Sequence, residues 1–130
     1  MRSTFLFLGA FCAFMGVGIG AFGAHALKTT LSTEALAIYH TGVDYQMWHS
    51  LGLLGIGLWQ HQTPDSKLVP WAGWFMFMGI LLFSGSLYLL ALLDIPKLGM
   101  ITPIGGVCFL IAWLLICLSA TSKKSTSRYQ

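Results

Sequence analysis

The sequence predicts an all-α fold, an integral membrane four-helix bundle forming a single domain over 1–130 with both termini cytoplasmic. Three observations predict it. Four apolar stretches, each about as long as a bilayer is thick, take up most of the 130 residues. Apolar residues make up 56% of the chain and charged residues 8%, with a mean hydropathy of +0.76, which leaves too little polar surface to wrap a water-soluble domain. The few ionisable side chains fall between or beside the apolar stretches.

The first span, about 5–24, covers roughly 30 Å at the helical rise. Arg2, the apolar run and Ala24-His25-Ala26 imitate a cleavable leader, but the length of the run and three later spans predict that it stays. The second span is expected over about 40–60, with a short amphipathic start over about 33–40 on the outer side. There Ser32 or Thr33 supplies the N-cap, and Glu34 faces the positive end of the helix dipole. Asp44, Gln46 and His49 then fall at membrane depth. Thr63-Pro64-Asp65-Ser66 reads as a turn, and Pro70 opens the third helix at its first position, running over 70–93 with tilt or overhang. Asp94 to Gly99 makes the next turn. Thr102-Pro103 reads as N-cap plus first residue of a fourth helix over 103–119, followed by a cytoplasmic tail, 120–130.

Orientation follows from the basic residues. Arg2, Lys67, Lys123, Lys124 and Arg128 share one side and Lys28 and Lys97 the other, so the positive-inside rule puts the termini and the Gln60 to Leu68 loop in the cytoplasm. Trp59, Trp71 and Trp74 suit an inner aromatic belt, and Tyr39, Tyr45 and Tyr88 an outer one. The basic tail fits anionic lipid heads, and without a basic groove interleaved with aromatics no nucleic-acid partner is expected. Cys12, Cys108 and Cys117 sit in apolar runs without C-x-x-C spacing and read as small hydrophobes.

Helices in lipid gain little from apolar burial and must approach closely, which small residues permit. Gly9, Ala13, Gly16, Gly20 and Gly23 or Ala24 form one stripe on the first helix. Ala72, Gly79 and Ser86 repeat at sevens on the third, and Gly105, Ala112 and Ser119 on the fourth. Packing within the bundle absorbs these stripes, and a homo-oligomer or another membrane protein takes any left over. Gly16→Leu or Gly20→Leu is expected to lower stability strongly.

Polar groups gather by depth. His25, Asp44, Tyr45, Gln46, His49, Ser84, Ser86 and Thr102 all belong to the outer half, while the inner half is nearly pure hydrocarbon. An outward-facing polar pocket closed below by Leu, Phe and Trp is the implied architecture, with inter-helix hydrogen bonding as the alternative role for each residue. Spacing argues against a three-histidine metal site: His40 and His49, nine residues apart, point to opposite faces of an unbroken helix. His40 instead shares a face with Asp44, and Tyr45 with His49. No cofactor is predicted, and the one haem or metal-ion arrangement left open uses His25 with His49. His61 reads as solvated. No G-x-S-x-G, H-E-x-x-H, phosphate-binding loop or pair of intramembrane carboxylates supports an enzyme, and Gly16-x-Gly18-x-Gly20 lacks the strand a nucleotide fingerprint needs.

Four segments in order, Gly20-Ala21-Phe22-Gly23-Ala24-His25-Ala26-Leu27, Tyr45-Gln46-Met47-Trp48-His49, Phe83-Ser84-Gly85-Ser86-Leu87-Tyr88 and Ile101-Thr102-Pro103-Ile104-Gly105-Gly106, resemble the YgdD/YwdK family of small membrane proteins. The likeness runs from the first helix to the fourth and departs at Trp48, where Tyr is more usual. It implies a multi-pass bacterial inner-membrane protein with mitochondrial relatives, a domain of unknown function that brings no reaction, ligand or catalytic residue. The expected role is a non-enzymatic accessory or scaffold protein in the lipid bilayer. The alternatives are a small-solute, proton or metal-ion transporter gated by Asp44 and His49, and a haem- or metal-binding redox protein.

Overall fold

The computed structural model describes residues 3–122, which are helical except for short connections. Ser3 caps α1, Thr4–Phe22, by accepting the Leu6 amide at 3.3 Å, and one π-turn, Gly23–Leu27, extends that helix. Helix α2, Thr33–Gln62, is continuous for 30 residues, about 45 Å at 1.5 Å per residue. Its cap is Ser32, whose hydroxyl oxygen accepts the Ala35 amide at 3.1 Å.

The third rod is made of α3, Leu68–Gly79, a π-turn, Ile80–Ser84, and α4, Gly85–Leu93. It starts two residues before the expected position, so Pro70 is its third residue. Proline is tolerated there because first-turn amides have no helical acceptor. Asp94, at φ 52°, ends the rod in the left-handed conformation and donates its amide to the Leu90 carbonyl. A 3-10 turn, Pro96–Met100, leads to α5, Thr102–Thr121. Thr102 is not the cap expected of it. It lies within the helix, and its hydroxyl is 2.6 Å from that of Ser86.

Close approaches fix the register. Gly9 faces Leu54, Gly16 faces Met47 and Gly20 faces Val43, so α2 runs back along the whole of α1. Gly42 faces Tyr88 and Gly52 faces Met76, making the third rod antiparallel to α2. Gly79 faces Phe109 and Gly105 faces Phe83, making α5 antiparallel to the third rod. His49 stacks on Phe109 and Trp59 bonds Ser119, so α2 and α5 are parallel, and Phe5 meets Gly73 and Trp74 across the bundle. The result is an up-down-up-down four-helix bundle in which α2 touches every other rod.

Glycine is required where backbones meet. A β-carbon at Gly9 would lie 2.8 Å from the Leu54 amide nitrogen and 2.9 Å from the Ser50 carbonyl oxygen, and one at Gly57 would lie 2.8 Å from the Leu6 amide nitrogen. Leu53, Val69, Ala72, Met76 and Ala112 are fully buried at the centre, with Phe5, Ile56 and Phe109 beside them. A smaller cluster of Leu27, Tyr39 and Ala91 closes the other end.

Three segments are long and apolar enough to cross a membrane: Thr4–Leu27, Leu68–Leu93 and Pro96–Thr121. Helix α2 is more polar, yet its middle lies against α1 turn for turn and shares its depth. The register brings Gly16 on α1, Met47 and Trp48 on α2, Ile80 on the third rod and Val107 on α5 to one level, near the middle of the three apolar segments. Arg2, Lys123, Lys124 and Arg128, which carry most of the orientation argument, and most of the expected tail lie outside the described residues.

Candidate functional site

The site is built around Gln46, buried on α2 close to the level of Gly16 and Met47. Its Nε2 donates to the Cys12 carbonyl on α1 at 2.8 Å, and its Oε1 accepts the Tyr88 hydroxyl from α4 at 2.6 Å. One amide thereby joins three rods. Tyr88 can reach it because Gly42 has no side chain: a β-carbon there would sit 2.7 Å from the Tyr88 ring. Ser84, on the last residue of the π-turn, donates to the Gly42 carbonyl at 2.7 Å, and Ser50 donates to the Gln46 carbonyl at 2.5 Å.

Two further links lie toward the ends. Tyr39 donates from α2 to the Ile19 carbonyl of α1 at 2.5 Å, and the Ser86 and Thr102 hydroxyls join α4 to α5. Near the other end the Trp59 indole donates to the Ser119 hydroxyl at 3.0 Å. Among the described residues every buried side-chain nitrogen and oxygen has a hydrogen-bond partner. An unmet group in hydrocarbon is expensive, so these bonds hold the rods in register.

His49 lies in an aromatic stack. Its ring is 3.6 Å from that of Phe109, centroid to centroid and nearly parallel, and 5.8 Å from Tyr45, which stacks in turn on Phe83 at 4.4 Å. Nδ1 is 2.7 Å from the Tyr45 carbonyl oxygen, which can only accept, so Nδ1 carries the proton.

The structure thus brings Tyr45, Gln46, His49, Ser84 and Ser86 into the bundle and leaves His25 and Asp44 exposed. His25 lies level with the first turns of α2, about 16 Å along the axis from His49 at the helical rise. These two histidines therefore cannot share one ion or haem, a correction that follows from the antiparallel register. No cluster of three His, Cys, Asp or Glu able to hold a metal occurs among the described residues. Gln46, Ser50, Ser84 and Tyr88 bond one another and backbone carbonyls, while the apolar groove beside Ala13, Phe14, Val17 and Gly18 lies on the surface of α1.

Of the three tyrosines expected in an outer belt, Tyr45 lies in the aromatic stack, and Tyr39 and Tyr88 turn inward to bond Ile19 and Gln46. Sequence reasoning missed these inward roles because their signal is a pairing: Tyr39 packs on Gly23 and Tyr88 on Gly42, residues remote in the chain.

A family model described as a protein of unknown function, DUF423, matches residues 19–106, which hold nearly all of this network. The chain is similar to the UPF0382 membrane protein YwdK of Bacillus subtilis, 47% identical over 117 residues, covering 90% of this chain and 95% of that one. It is 53% identical over 116 residues to a UPF0382 membrane protein of Staphylococcus epidermidis, covering 89% and 93% of the two chains, and 50% identical over 115 residues to one of Staphylococcus haemolyticus, covering 88% and 93%. No solved structure matches. On this likeness, spanning nearly all of both chains and agreeing with the motifs read from the sequence, the protein belongs to the DUF423 family of bacterial membrane proteins.

Proposed function

We propose that the chain is a non-enzymatic accessory protein of the bacterial inner membrane, crossing four times with both termini cytoplasmic, and that it works by docking through its membrane-facing surface. One observation carries the reading. Asp44 and Trp48 are exposed on α2 close to mid-depth, whereas among the described residues every fully buried side-chain nitrogen and oxygen has a hydrogen-bond partner. An ionisable side chain facing acyl chains is costly, and contact with protein removes the cost. Lys67 at the inner turn, Lys28 at the outer connection and the terminal basic residues support the orientation.

A photo-reactive residue at position 48 is expected to give one discrete adduct in native membranes, lost on Asp44→Leu. The same residue at Leu110, an exposed position on α5, is expected to give none. Equal labelling from both positions, or no adduct from 48, overturns the docking reading. A carboxylate near mid-depth beside His40 also favours a second reading, a proton or small-solute pathway. That reading requires flux in proteoliposomes that collapses in Asp44→Asn or His49→Ala, and fails if nothing conducts.

A further inference from the structure

We propose that two copies of the chain pair through α2, seam against seam, around Asp44 and Trp48. The inference rests on the docking reading above and names its partner. From Thr41 to Gln60 the exposed residues of α2 are Thr41, Asp44, Trp48, Leu51, Gly55 and Leu58, alternating at steps of three and four. This is the two-in-seven repeat of a coiled-coil seam. Helices α1 and α5 expose much broader faces, among them Phe7, Phe11, Phe14 and Val17 on α1, which suit lipid. Between Thr41 and Gln60, α2 is exposed only along a strip one residue wide, the rest of it half-buried or buried against its own bundle.

The strip has the wrong chemistry for lipid. By the shared register Asp44 lies about 5 Å from mid-depth, in a hydrocarbon layer roughly 15 Å thick on either side. Its side chain is too short to reach the headgroups, and the inter-helix hydrogen bonds of the described residues do not include it. Trp48, 57% exposed on the same strip and at mid-depth, carries an indole N–H far from the interface that tryptophan prefers. An unmatched acceptor and an unmatched donor therefore stand one helical turn apart.

A second copy supplies the complement. Copies of one chain insert with one orientation, so a two-fold axis along the membrane normal makes the paired seams parallel and level. In a parallel coiled coil the Asp44 position fits between the Thr41 and Trp48 positions of the opposite helix. Each indole N–H then donates to the other copy's Asp44 carboxylate. The two carboxylates share one layer of the seam, each beside the other copy's indole. Gly55 supports the same contact: a β-carbon there would meet nothing within 4 Å, so its smallness serves no packing inside the chain and admits a second backbone.

The test uses the full chain in lipid nanodiscs and in native membranes. With Cys108→Ser and Cys117→Ser as background, Leu51→Cys is expected to form an oxidised dimer, and Val17→Cys, equally exposed on α1, is expected to stay monomeric. Gly55→Ile is expected to keep the parent's thermal midpoint while raising the dimer dissociation constant at least tenfold. Failure of Leu51→Cys to cross-link, equal cross-linking by Val17→Cys, or undiminished pairing in Gly55→Ile overturns the inference. If the chain is single in nanodiscs yet the position-48 adduct contains a different protein and requires Asp44, the second copy is wrong and docking stands. If both are absent, both readings fall.

Discussion

Alanine at each glycine of α1 separates backbone contact from side-chain contact. At Gly9 the new carbon would meet two main-chain atoms of α2, at 2.8 and 2.9 Å, and neither can rotate aside. Relief requires α1 to move off α2 by about half an ångström, a gap that already forfeits about a quarter of the attraction of each contact it opens. Overpacking of this kind costs roughly 1–3 kcal/mol, against a gain of about 0.5–1 kcal/mol from alanine's helix propensity. A net loss of about 1–2 kcal/mol is expected. At Gly16 the obstacle is the Met47 thioether at 2.5 Å, the end of a flexible side chain, and at Gly20 it is Val43 Cγ1 at 3.2 Å, so both changes are milder. At Gly18 nothing lies within 4 Å, and the full propensity gain of about 0.5–1 kcal/mol is expected. Reversible unfolding in mixed micelles against sodium dodecyl sulfate should rank stability as Gly18→Ala above parent, Gly20→Ala near it, then Gly16→Ala and lastly Gly9→Ala. A Gly9→Ala protein as stable as Gly18→Ala refutes the backbone-contact argument.

Tyr88→Phe removes the donor to Gln46 Oε1 and should lower stability by about 0.5–2 kcal/mol in the same assay, the range for hydrogen bonds between membrane helices; an unchanged midpoint argues against the bond. Ser86→Ala and Thr102→Val should be non-additive, with a coupling of about 0.5–1 kcal/mol in a double-mutant cycle, and strict additivity would show that the hydroxyls do not interact. Asp94→Gly should stabilise by up to about 1 kcal/mol, because glycine has no β-carbon to strain at φ 52°, and Asp94→Val should destabilise by at least as much. The midpoints of these two variants should bracket the parent's.

The sequence was legible wherever a local signal exists. The Ser32 cap, the turn at Thr63 to Ser66 and the break at Asp94 are short-range chemistry, and the steps between Gly9, Gly16, Gly20 and Gly23 announced a close neighbour before its identity was known. Inside and outside were harder to tell apart. In a water-soluble bundle the polar face marks the surface, but in lipid both faces are apolar, so periodicity carries no sign. Asp44 and Gln46 therefore read alike from the sequence, although one is exposed and the other buried. The depth ranking was coarse for a related reason: Tyr45 and His49 lie near mid-depth, and only the antiparallel register, a long-range fact, puts them there.

The bonds from Tyr39 to Ile19 and from Gln46 to Cys12 bear on biogenesis. Among the described residues α2 is the least apolar rod and does not count among the three segments long and apolar enough to cross a membrane, and two of its hydrophilic side chains find acceptors on the segment synthesised just before it. A hairpin of the first two segments can leave the insertion machinery together, each masking what the other would expose to acyl chains. Shuffling the order of the segments should therefore strand the second one in the aqueous phase, even though every residue of the finished protein is still present.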